Sequence, residues 1–208
     1  MSRKSDIIME KKIIITIGRQ FGSGGLAVAK ELGHRLRIPV YDSELITKAA
    51  QDSGFSVEFF EKKDEKRGWA SFFSMSLNSN ENYMSDGGLF KIQSETIRSI
   101  AEQGSAIIVG RCSDYILRDL DCCVDVFLTS PEDIRAERVV ERARIPYDKA
   151  MEEIVKKDKV RAEYYNYFTF GNWGVASNYD LCIDSSILGI KGTADLIIEF
   201  ARKKGLVD

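Results

Sequence analysis

Residues 13–17, IIITI, are apolar on both faces and mostly β-branched, which suits a central parallel strand covered by helices on each side. A glycine-rich turn follows. Over 26–36 the positions Leu26, Ala29, Leu32, Gly33 and Leu36 recur at helical spacing, so the order is strand, glycine turn, helix. Residues 38–41 predict a second short strand ending at Asp42, and helices are predicted over 44–51 and 57–66, the latter capped by Ser56. The stretch 67–88 has no period yet carries Trp69, Phe72, Phe73, Met75 and Leu77, which marks a folded-over loop or subdomain rather than a linker.

Helical spacing returns over 89–103, with Gly104 as its stop. Residues 106–109 and 123–128 predict the third and fourth strands. Ser130-Pro131-Glu132-Asp133 predicts a helix start: Ser130 caps, Pro131 takes the first helical position, and Asp133 completes a capping box. That helix is expected to run to about Arg142. A charged helix over 148–165 follows Pro146, then an aromatic loop, a fifth strand over 181–184, and a closing helix over 190–204 stopped by Gly205. Strands alternating with helices predict an α/β fold: one domain over 1–208, built on a doubly wound five-stranded parallel sheet with helices on both faces.

Composition narrows the function. At 208 residues with 44% hydrophobic and 30% charged, the chain can bury a full core. Lys plus Arg (30) nearly balance Asp plus Glu (32), so no overall positive field draws in nucleic acid, and any anion site has to be local. Cys112, Cys122, Cys123 and Cys182 have no CxxC spacing and are expected to be buried, reduced thiols. The first twelve residues are too polar for a signal peptide, and no apolar run reaches membrane-spanning length; a cytoplasmic protein without membrane partners is expected.

The candidate chemistry lies where strand one empties into Gly18-Arg19-Gln20-Phe21-Gly22-Ser23-Gly24-Gly25. Glycines there can curl backbone N–H groups toward one point while the next helix adds its N-terminal partial positive charge, an arrangement suited to phosphate. The ordinary phosphate loop reads G-x-x-x-x-G-K-[S/T], its lysine reaching the phosphates and its hydroxyl the Mg²⁺. Here Gly25 stands at the lysine position and Leu26 at or beside the hydroxyl position. A replacement cation could come from Arg19 or Lys30. Leu26 reads as a core contact, leaving Ser23 or a carboxylate through water as the possible metal ligand.

The blocks FGSGG after IIITIGRQ, YDSEL at 41–45, VGRCSDYIL at 109–117, FLTSPEDIRAERVVER at 127–142, KKDKVRAEYYN at 156–166 and DLCIDSSILGI at 180–190 together resemble the cytidylate kinase-like family, a branch related to the bacterial cytidylate kinases. The resemblance implies a three-layer P-loop kinase fold with an acceptor-binding insertion at about 43–104 and a lid at about 143–179. It places Asp42 near the acceptor nucleotide, Arg111 on the acceptor phosphate, and Arg138 and Arg161 among lid arginines. Lys157 and Asp158 stand where related kinases often have Arg-Asp, so Lys157 keeps the charge and loses the bidentate fork. ATP or another nucleoside triphosphate as donor, Mg²⁺, and small nucleotide substrates are implied with it.

Phosphoryl transfer needs such residues independently, because its catalysis is mostly alignment, cations and water exclusion. Arg135, Arg142 and Arg144 read instead as a solvated helix face paired to Glu132, Glu137 and Glu141. The aromatic run from Tyr164 to Tyr179 fits lid packing or stacking on one nucleobase, and the lone His34 fits a structural role. The leading expectation is γ-phosphoryl transfer to a nucleoside monophosphate such as CMP or dCMP. The alternatives are a non-catalytic nucleotide-binding regulator, favoured by Gly25 and Leu26, and a kinase with a different small acceptor.

Overall fold

The computed structural model describes residues 11–52 and 87–208; the helix expected over 57–66 and most of the 67–88 segment lie outside the described residues. Five parallel strands, β1 (Ile14–Arg19), β2 (Val40–Tyr41), β3 (Ala106–Val109), β4 (Cys123–Thr129) and β5 (Leu181–Asp184), form one sheet of order β2-β3-β1-β4-β5. Ile14 of β1 lies opposite Ala106 on one side and Cys123 on the other, so β1 is the central strand.

Strand alternation sends β1 residues into two cores. Ile15 and Ile17 join Ile107, Val109, Val126 and Leu128 beneath helices α1 (Gly25–Leu36) and α7 (Ser185–Lys203). Ile14 joins Ile108 and Cys123 on the other face, against α2 (Ser43–Asp52), α3 (Gly87–Gln103) and the short α4 (Ser113–Ile116). Each buried isoleucine contributes on the order of 1.5–3 kcal/mol through removal from water, and both faces of β1 are dry. A third, smaller core joins the two remaining helices, α5 (Glu132–Ala143) and α6 (Tyr147–Thr169), through Ala136, Val139, Ala150 and Ile154, with Phe21 packed against it.

Several local expectations are corrected. Leu26 is 40% exposed and is no core contact; Val28, two residues on, is fully buried and faces the core instead. Pro131, not Ser130, is the cap residue of α5, because the first helical bond runs from the Arg135 N–H to the Pro131 carbonyl. Ser130 Oγ is buried without a hydrogen-bond partner. α7 starts at Ser185, where Asp184 accepts the Ser186 N–H at 2.8 Å; Gly189, at φ 63°, interrupts it, and regular helix resumes at Ile190, the expected start. The helix α4 went unread. Of the four free cysteines, Cys182 is exposed rather than buried, since it faces out from the short edge strand β5.

Candidate active site

The carboxyl ends of adjacent β1 and β3 deliver Gly18-Arg19 and Gly110-Arg111 to one place, the position where parallel α/β sheets bind their ligands. The loop between β1 and α1 turns on Gly22 (φ 84°) and Gly24 (φ 83°), a backbone region that side chains resist. Gly24 caps α1, with no side-chain hydrogen bond to the first-turn N–H groups of that helix. Ser23 is fully buried: its hydroxyl donates to the Gln20 carbonyl at 2.9 Å, and its own carbonyl accepts from Ser185 Oγ.

The α5–α6 pair grips this loop. Asp158 Oδ1 accepts the Phe21 N–H at 2.6 Å, and Arg135 donates to the Phe21 carbonyl at 3.1 Å and to Asp158 Oδ2 at 2.6 Å. Arg161 donates to the Arg19 carbonyl at 3.0 Å, and Arg138 donates to Ser185 Oγ at 3.1 Å. The Phe21 ring has three cations over it, Lys157 at 5.0 Å, Arg142 at 5.1 Å and Arg161 at 5.5 Å from its centroid. Arg135 is 6% exposed and ion-paired with Asp158, which corrects the solvated reading given to it; helix α6 packs over the face of α5 that the sequence alone leaves in water.

A cavity of about 170 Å³ opens between the strand ends and α6. Arg19, Arg111 and Arg161 line it together with Tyr164, Tyr165, Trp173, Tyr179 and Asp114. Burial, then the charges of Arg161 and Arg111, hold Arg19 well below the usual arginine value, with Asp42 and Asp158 opposing. Arg161 is likewise lowered to about 10, by burial first, with Asp158 opposing and Arg111 adding to the shift. Three mutually repelling guanidinium groups around one space are a ready receptor for a multiply charged anion. Asp114, raised by burial, accepts the Tyr165 hydroxyl at 2.7 Å. Arg111 and Cys112 both adopt left-handed backbone, at φ 60° and 56°, where β3 turns into α4.

Among the residues expected from sequence, Arg19, Arg111 and Arg161 meet in the cavity, and Arg138 lies beneath the loop against Ser185. Asp42 caps α2, accepting the Glu44 and Leu45 N–H groups at 3.1 Å, and its neighbour Ser43 lines the cavity. Lys30 is exposed on α1 and does not line the cavity, and Lys157 pairs with Glu153 at 3.2 Å. The sequence reading missed Asp114, Tyr165 and Tyr179 as a joined polar floor. Asp114 stands three residues past Arg111 in one block, the one signal that could have found it.

A phosphate group fits this arrangement. The usual hydroxyl for Mg²⁺ is not offered in the loop: Ser23 is fully buried and Leu26 has no side-chain oxygen. Among those residues no helix is long and apolar enough to cross a membrane.

A model of the cytidylate kinase-like family matches residues 14–187. A cytidylate kinase of Pyrobaculum calidifontis is 25% identical over 190 residues, covering 90% of this chain and 92% of that protein. One from Methanobrevibacter smithii is 29% identical over 187 residues, covering 89% and 96%. Among solved structures, an uncharacterized protein from Eubacterium ventriosum aligns with a TM-score of 0.72 at 30% identity, over 92% of this chain and 99% of that one. Shikimate kinase from Bacteroides thetaiotaomicron aligns with a TM-score of 0.55 at 14% identity, over 91% and 98%, a likeness of fold alone.

Proposed function

The chain belongs to the cytidylate kinase-like family, and on that footing we propose that it is a nucleotide-dependent phosphotransferase passing the γ-phosphoryl group of a nucleoside triphosphate to a nucleoside monophosphate, CMP or dCMP first. The observation that carries this reading is the convergence of Arg19, Arg111 and Arg161 on one cavity beside the glycine loop. In phosphoryl transfer the charge is spread over equatorial oxygens, so cations fixed at the right place supply most of the catalysis. The loop N–H groups and the first turn of α1 hold the donor phosphates. Arg111 holds the acceptor phosphate, and Arg161, on α6, bridges the two. Asp114 with Tyr165, walled by Trp173 and Tyr179, gives the acceptor base a hydrogen-bonding floor and aromatic sides.

A second reading, a nucleotide-binding regulator without turnover, is favoured by Gly25, Leu26 and the buried Ser23 hydroxyl. A coupled assay of ATP with a panel of nucleoside monophosphates separates the two. Turnover with CMP or dCMP supports the first; ATP binding by calorimetry with no turnover across the panel moves the conclusion to the second.

A further inference from the structure

The ordinary phosphate loop takes its cation from a lysine in the first turn of the helix, and here that position is Gly25. Gly25 is not at positive φ, so its backbone does not require glycine. Space requires it. A Cβ built on Gly25 would lie 2.9 Å from both Cβ and Cγ of Arg19, closer than real side chains come. The same arginine then crosses to the neighbouring strand, where a Cβ on Gly110 would overlap its Nη1 and lie 2.9 Å from its Cζ. One arginine is thus seated between two glycines, its aliphatic stem over Gly25 and its guanidinium over Gly110.

The other cations near the loop are engaged. Arg135 pairs with Asp158, Arg138 with Ser185 and Lys157 with Glu153, while Lys30 is exposed. Arg19 makes no ion pair with a carboxylate among the described residues; its guanidinium lines the cavity with Arg111 and Arg161. The backbone carbonyl of Arg19 is held by Arg161, which fixes where its side chain begins.

We propose that Arg19 is the cation that replaces the phosphate-loop lysine, entering from the end of β1 across the face of Gly25, and that the glycine at 25 is the steric counterpart of that relocation. The charge has moved from the helix to the strand while still serving the same bound phosphates. An arginine there also brings a planar fork where lysine brings a point charge, so it can bridge two phosphate oxygens. This inference rests on the phosphate-binding reading of the loop given above.

The test uses the full chain and calorimetric titration with ATP and, as a base-free probe, inorganic tripolyphosphate. Arg19→Met keeps the stem and removes the charge, and should weaken both ligands on the order of 10- to 100-fold with little change in Tm. Arg19→Gly combined with Gly25→Lys, which clears the clashing stem and returns the cation to the helix, should bind tripolyphosphate more tightly than Arg19→Gly alone. Gly25→Ala should lower Tm in the wild-type background and much less in the Arg19→Gly background, where both atoms its Cβ would meet are gone, a readout that needs no ligand. Wild-type affinity in Arg19→Met, or loss on Lys30→Ala with Arg19→Met unaffected, overturns the proposal and leaves the functional reading standing. A wild-type protein that binds neither ATP nor tripolyphosphate overturns both.

Discussion

Asp158 of α6 accepts hydrogen bonds at 2.6 Å from Arg135 Nη1 on α5 and from the Phe21 N–H in the glycine loop. One carboxylate therefore joins the two helices of the small third core to the glycine loop after β1. Arg135 is nearly fully buried, so its charge is tolerated only because Asp158 and the Phe21 carbonyl are there.

Removing Asp158 leaves that guanidinium buried and unpaired. Asp158→Ala is expected to cost about 3–5 kcal/mol in urea denaturation. The double variant with Arg135→Ala should cost less than the sum of the two single changes, because the second removal relieves the orphaned charge. Strict additivity would show that the pair is not coupled.

Arg111 should act on the acceptor. Arg111→Ala is expected to lower kcat/KM for the preferred monophosphate by roughly 10²–10³-fold, and Arg111→Lys, which keeps the charge without the fork, by less. A rise confined to KM would assign Arg111 to uniform binding rather than to the transition state.

Asp125 in β4 supplies a pH test of the core. Burial raises its carboxyl to about 6, with Asp114 and Asp180 pushing the same way and the 2.6 Å bond from Thr16 and the charge of Lys204 opposing. A carboxyl raised on folding binds its proton more tightly in the folded state, so its contribution is most favourable below the ordinary carboxylate range and is lost as pH rises through about 6. Asp125→Asn should therefore stabilise the protein relative to wild type more at pH 7.5 than at pH 4.5. Thermal unfolding at the two pH values checks this, and a pH-independent difference would contradict it.

The five strands and most of the helices between them were legible in the sequence because each rests on local patterning, whereas the order of the strands and the short helix α4 were not. The IIITI run is apolar on both faces, and the spacing over 26–36 is helical. The glycine loop was legible too, since strand, four glycines and helix follow without interruption. Boundaries slipped where one residue decides: Pro131 displaced Ser130 as the cap of α5, and Leu26 turned outward.

The site itself was legible only as a set of residue types. Arg19, Arg111 and Arg161 could be named from their motifs, but their meeting depends on β1 and β3 lying side by side and on α6 folding back over both. Arg135 looked like a surface residue because its partner stands 23 positions away on another helix. Nor could sequence choose between Arg19 and Lys30. The path of the Arg19 stem past Gly25 is a matter of atoms within 3 Å of each other, set by packing between a strand end and a helix start. Local pattern follows from the chain's own chemistry, whereas burial, charge pairing and close approach belong to surfaces that exist only after the sheet and its helices have assembled.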